Sequence, residues 1–194
     1  IRDRPPVVFK LLGTLRMLVD GQSDLALKFL ENQKLIAQLV EWARKTPDMV
    51  GVNSESSRLM AWLIKNGYRG EQPNFTPLKV FVGIDGTVEN LVKMILSAHL
   101  VMQNEALLAL IIIAGNIKND ENQLSKTLIA ANIGETLIDF IQRMSEMERT
   151  TNEIVENLNS LVTVLQRIGD VKTHLSEHNI EEKLKTAPRI KELA

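Results

Sequence analysis

Cysteine is absent from the 194-residue sequence, so it holds no disulfide framework, thiolate zinc site, iron–sulfur cluster or cysteine nucleophile. Aromatic residues make up only 4% and prolines number 6, too lean a supply of strand formers and turn residues for a sandwich or barrel. Neither sign of charge dominates. With 23 Lys and Arg against 24 Asp and Glu, the net charge is −1, and no global field draws the chain to a nucleic-acid backbone or an anionic membrane. Nucleic-acid binding and direct membrane insertion are therefore not expected. Long hydrophobic runs are also missing, since the longest, Ala106 to Gly115, is roughly half of what a bilayer requires. No basic segment followed by an apolar one opens the chain, so it is read as cytoplasmic. Ile1 stands directly before an apolar helical pattern with no initiator Met, and the chain is read as part of something longer.

Hydrophobic residues, at 44%, and charged residues, at 24%, are present in the proportions of an ordinary soluble core. Leu, Ile, Ala, Lys, Glu and Asn are plentiful, the profile of an all-α protein. Four segments share an apolar helical pattern: Pro5 to Asp20, Ser54 to Gly67, Val101 to Asn116 and Thr151 to Ile168. Their anchors Leu15, Leu63, Leu110 and Leu161 recur every roughly 47 to 51 residues, close to the period of HEAT and armadillo arrays. A second class of helix lies between them, starting near Gln33, Asp85, Asn132 and His178, with anchors Leu39, Leu91, Leu137 and Leu184. Linking helices are read over Asp24 to Glu31, Asn122 to Ala131 and Asp170 to Glu177.

Three helices per unit, none able to bury its apolar face alone, predicts an armadillo-repeat right-handed superhelical solenoid. Residues 5–20 form the third helix of a preceding repeat, 22–67, 68–116 and 117–168 form three repeats, and 169–194 a partial C-terminal one. The segment Tyr68 to Ile84 carries prolines and glycines where a linking helix belongs, and it is read as a loop with one short turn, or alternatively as a join across a missing insert.

Phe9 to Leu18 (FKLLGTLRML), Leu39 to Trp42 (LVEW), Glu55 to Ile64 (ESSRLMAWLI) and Val101 to Leu110 (VMQNEALLAL), in this order and spacing, closely resemble the C-terminal armadillo repeats of the small-GTPase GDP-dissociation stimulator family. The departures from the vertebrate form look like those of an insect member. The resemblance is dense from Pro5 to about Ala114 and rests on repeat spacing beyond it. It implies a non-classical guanine-nucleotide exchange factor and chaperone that grips Rho- and Rap-type small GTPases, particularly those with a polybasic, prenylated tail. It also implies that no bond chemistry is performed and no cofactor is needed. The family's acidic surface for such a tail lies in earlier repeats, so this segment is expected to face the body of the GTPase.

In an armadillo array the third helices line the inside of the superhelix, where long charged side chains have no packing reason to stand. By the 3.6-residue period Lys10, Arg58 and Asn104 share one stripe, with Arg16 and Lys65 one or two turns later on their helices. These five are the candidate GTPase-binding residues, their basic and amide groups suited to acidic and backbone-rich switch regions. A merely solvated groove is the alternative. A peptide-binding adaptor or a structural C-terminal cap without GTPase contact also remain open.

Other patterns carry less. Trp62 and Asn66 have the spacing of the ladder with which nuclear-import adaptors clamp a basic peptide, but the pair does not recur on the other repeats, and Trp62 is read as a buried packing residue. His174, Glu177 and His178 have the H-x-x-E-H spacing of one zinc protease class. That site needs a third ligand well downstream and only 16 residues follow His178, so the pair is read as a solvated linker with no metal. Ser54, Ser56 and Ser57 lack a nearby His or a nucleophile elbow, and Gly83 and Gly86 form no phosphate loop. Glu146, Glu148, Glu153 and Glu156 are read as a helix's polar face with Asn152 and Asn157.

Overall fold

A computed structural model describes residues 4–44, 50–69, 74–117, 121–146, 151–187 and 190. Every regular element among the described residues is a helix. In chain order they are α1 (Pro5–Leu18), α2 (Ser23–Glu31), α3 (Gln33–Ala43), α4 (Val50–Gly67), α5 (Thr76–Gly83), α6 (Thr87–Ile95), α7 (Leu100–Asn116), α8 (Glu121–Ala130), α9 (Ile133–Glu146), α10 (Asn152–Leu165), α11 (Gly169–Glu177) and α12 (Ile180–Thr186). None of the described helices is long and apolar enough to cross a membrane.

Local chemistry sets the boundaries. Pro5 and Pro6 open α1, where a missing N–H removes no intrahelical bond. The Asn32 side chain caps α3 by accepting from the Leu35 amide at 3.1 Å, and Thr151 caps α10 through the Ile154 amide at 3.4 Å. Asn132 and Asn179 stand at positive φ, 57° and 53°, in the left-handed region that asparagine tolerates better than most residues. They turn the chain sharply into α9 and α12.

The chain divides into two compact units, residues 1–91 and 92–194, with the division inside α6. In the first, α4 is the central helix: it packs against α1, α2 and α3, while α2 packs against α5. Leu59, Met60, Leu63 and Ile64 of α4 are fully buried with Leu12 of α1, Leu30 of α2, and Ile36 and Leu39 of α3. An adjacent face of α1 leaves Val7, Leu11 and Leu18 exposed. In the second unit each helix of one triplet meets its counterpart in the next: α7 packs on α10, α8 on α11 and α9 on α12. The apolar α7 is buried on most sides, through Ala106, Leu107, Ala109, Leu110 and Ile113.

The expected loop over Tyr68 to Ile84 is corrected. Residues 70–73 lie outside the described residues, but Thr76–Gly83 is a helix whose Pro77 sits in the first turn and whose Leu78, Phe81 and Val82 are buried. Pro77 lies where proline costs no hydrogen bond, and Gly83 is the last residue of the helix rather than a break within it. Tyr68 fastens the entry to α5. Its hydroxyl donates to the Asn74 carbonyl at 3.2 Å and accepts from the Leu78 amide at 3.1 Å, and its ring stacks on Phe75. Burial pushes the Tyr68 phenol up to about 12, because desolvation disfavours the phenolate. At the other end, the Thr87 hydroxyl lies 2.8 Å from the Phe81 carbonyl and 2.9 Å from the Ile84 carbonyl, tying α5 to the start of α6.

Candidate functional site

The candidate residues gather mainly along α4. Glu55, Arg58, Trp62 and Lys65 follow one another at three- and four-residue steps, so their side chains share one face. Arg16 of α1 joins them from the neighbouring helix. Its Nε donates to Glu55 Oε1 at 2.5 Å, and Arg58 Nη1 stands 3.6 Å from Oε2 of the same carboxylate. Glu55 is only 5% exposed, and the two guanidinium groups beside it are the partners that a buried carboxylate needs. Gly13 of α1 faces it, since a Cβ there would come within 3.7 Å of Oε1.

Trp62 is the centre of the stripe, and the expectation that it is buried is corrected. Its side chain is partly exposed, with the Arg16 guanidinium carbon 5.0 Å and the Lys65 ammonium 5.3 Å from the ring centroid. Both lie within cation–π range. Arg16 is thus bound on one side to a buried anion and on the other to an aromatic face, which holds its guanidinium in one place. Lys65 and Lys10 are exposed. They are the exposed cations among the candidates, whereas Arg16 and Arg58 are paired with Glu55.

Asn66 belongs to the framework. It is 2% exposed, its Nδ2 donates to the Trp62 carbonyl at 3.0 Å, and its Oδ1 accepts from the Gly21 amide at 2.8 Å. Gly21 has φ 70° and turns α1 into α2, so Asn66 pins that turn to α4. Asn66→Ala is expected to destabilise the protein by about 1–3 kcal/mol, since it leaves the Gly21 amide without its partner. Urea denaturation of the variant checks this, and a change within about 0.5 kcal/mol would place the pair in open solvent.

Asn104 belongs to the second unit and the other four candidates to the first. Its Nδ2 donates to Glu153 Oε1 at 2.8 Å, and its Oδ1 accepts from Asn157 Nδ2 at 2.6 Å. The amide joins α7 to α10, and Glu153 and Asn157, read from sequence as a solvated face, are its partners. Glu148 lies outside the described residues. Near the end of the first unit Arg44 binds Asp85 at 2.9 Å and Glu89 at 3.3 Å. Its guanidinium lies over Gly86, at φ +87°, where any Cβ would collide with it; this glycine serves a turn and an ion pair.

Sequence reasoning found Arg58, Lys65 and Arg16 but missed Glu55, because its two partners come from different helices. The i,i+3 spacing of Glu55 and Arg58 was the local signal, whereas Arg16 comes from 39 residues away on α1.

Helices stacked on their counterparts in the next triplet, with a basic and aromatic stripe along one of them, are the features of a solenoid-type helical protein. The chain belongs to the family of small-GTPase GDP-dissociation stimulators. It is 41% identical over 97% of its length to the GTPase-GDP dissociation stimulator vimar of Drosophila melanogaster. It is 36% identical over 89% of its length to each of two Xenopus laevis proteins, Rap1 GTPase-GDP dissociation stimulators 1-A and 1-B. The chain spans 34% of the fly relative and 26% of each frog relative, about a third of their length or less. No protein-family model matches it.

Proposed function

We propose that the chain is the C-terminal armadillo part of a GDP-dissociation stimulator and chaperone for Rho- and Rap-type small GTPases, and that the α4 face of its first unit contacts the GTPase body. The observation that carries this reading is the stripe itself. Arg16, Arg58 and Lys65 stand with Trp62 on a surface where packing does not require them, Lys10 is exposed on the neighbouring α1, and Arg16 and Arg58 are held ready by Glu55. An aromatic ring flanked by ordered cations is the composition of an interface centre. The identity with proteins named for dissociating GDP from a GTPase supports the partner class. Counterpart packing of helices three places apart supports the repeat division into 22–67, 68–116 and 117–168, flanked by 5–20 and 169–194.

Exchange in this reading needs no bond chemistry. A protein that binds the GTPase more tightly when its nucleotide site is open than when GDP fills it shifts the population toward the open form, and GDP leaves. The prenylated, polybasic tail is held by repeats outside this chain.

The division of labour sets the test. Linking two binding surfaces can raise affinity by about 10²–10⁴, so the 194-residue chain alone is expected to bind a GTPase weakly and to leave release of fluorescent GDP near the spontaneous rate. The full-length protein should accelerate it. Full acceleration by the isolated chain would show that the body contact suffices and would overturn the assignment of the tail to other repeats.

A further inference from the structure

The HLSEH segment, set aside in the sequence for want of a third ligand downstream, finds one upstream. His174 lies in the last turn of α11 and His178 caps that helix; four residues apart, they share a face, and their rings stand 4.4 Å apart and tilted by 54°. Neither is the solvated side chain that the sequence suggested. Both are partly buried, and they pack against Gly134 at the start of α9, where a Cβ would come within 2.8 Å of His174 Nε2 and 2.9 Å of His178 Nδ1. Only glycine lets the two rings lie there.

The next residue, Glu135, completes a set in which one ligand atom of each side chain lies within 4.8 Å of the others. From these three groups we infer that Glu135, His174 and His178 form a binding site for a divalent transition-metal ion of the zinc class.

Three observations carry this. His178 Nδ1 is 2.8 Å from the His174 carbonyl, a contact in which Nδ1–H donates and Nε2 is left as the ligand atom, the usual orienting bond of a metal-bound histidine. That Nε2 is 3.2 Å from Glu135 Oε1. Ligands of one tetrahedral ion at zinc bond lengths stand about 3.3 Å apart, so this pair is already spaced for it. Finally, His174 Nε2 is buried with no hydrogen-bond partner. Buried polar atoms rarely lack one, and an ion is among the explanations. A ring nitrogen of His174 lies within 4.8 Å of the ligand atoms of the other two side chains.

Two imidazoles and one carboxylate favour zinc, cobalt or nickel over calcium or magnesium, which prefer all-oxygen sets. The electrostatics agree. The C-terminal end of α11 favours a cation, and the His174 carbonyl, with Glu135 and last Glu177, raises the affinity of His178 for a proton. Protons compete with the metal for His178, so binding tightens as pH rises. The metal would clamp α9 to the end of α11 in the second unit, whereas the α4 stripe belongs to the first.

The probe is Co2+, added to the chelator-stripped full chain at mildly alkaline pH. One equivalent should give the visible absorption of nitrogen-ligated Co2+, Zn2+ should abolish it, and Zn2+ should raise the melting temperature. Glu135→Gln, a conservative change at an exposed side chain, should weaken binding by about tenfold or more, and His178→Ala should remove the absorption with far-UV circular dichroism unchanged. Colourless Co2+ titrations with a melting temperature indifferent to Zn2+ would reduce the cluster to an imidazolium–carboxylate ion pair. Equal binding by wild type and both variants would place the metal elsewhere. Either result overturns the site.

Discussion

Phe81→Ala is expected to cost the protein about 3–5 kcal/mol, the loss typical of a large aromatic removed from a packed interior. Phe81 is fully buried in α5, a helix that packs against α2 and α3, and its backbone carbonyl accepts from the buried hydroxyl of Thr87. The cavity would open between elements already fixed by α4, leaving little room for collapse. Urea denaturation followed by circular dichroism measures the change. A loss under about 0.5 kcal/mol would return the segment to the surface loop that its prolines and glycines suggest.

The second large effect is on binding. Lys10→Glu together with Lys65→Glu, in the full-length protein, is expected to weaken affinity for a client GTPase by about tenfold or more, because two exposed cations facing an acidic partner become anions. Both side chains are exposed, so the melting temperature should stay where it is. Arg58 is the wrong residue to reverse. An acidic group there would stand beside buried Glu55 and unsettle the fold through like-charge repulsion, confusing a stability effect with a binding one. Isothermal titration against the GTPase, with Glu146→Lys as the control outside the contact, separates the two.

Much of the fold was legible because it rests on local periodicity. The apolar spacing of Leu59, Leu63 and Ile64 in α4, or of Ala106, Leu110 and Ile113 in α7, marks a buried helix whatever it packs against. Asn32 could be read as a cap for the same reason: its hydrogen bond reaches only three residues along the chain. The segment before Ile84 was misread because Pro77 and Gly83 have two meanings. Inside a helix they break it, and at its first turn and last residue they delimit it; only the burial of Leu78 and Phe81 decides between the two.

The candidate site was half legible for a related reason. Arg58, Trp62 and Lys65 lie on one helix and align by periodicity, whereas the Arg16 to Glu55 bond spans 39 residues and the partners of Asn104 lie on α10. The same holds for Glu135, which meets the two histidines from a different helix. Pairings between helices depend on how the repeats stack, and stacking leaves no signature at any fixed offset in the sequence.

Release of fluorescent GDP from a client GTPase, driven by the full-length protein with and without Lys10→Glu and Lys65→Glu, tests the central claim most directly. If the α4 face grips the GTPase body, the reversed protein should fall toward the spontaneous rate at concentrations where the wild type is saturating or nearly so, and raising its concentration should restore part of the loss. Release as fast as wild type at every concentration, from a variant of unchanged helicity and melting temperature, would contradict the claim and leave the stripe a solvated face.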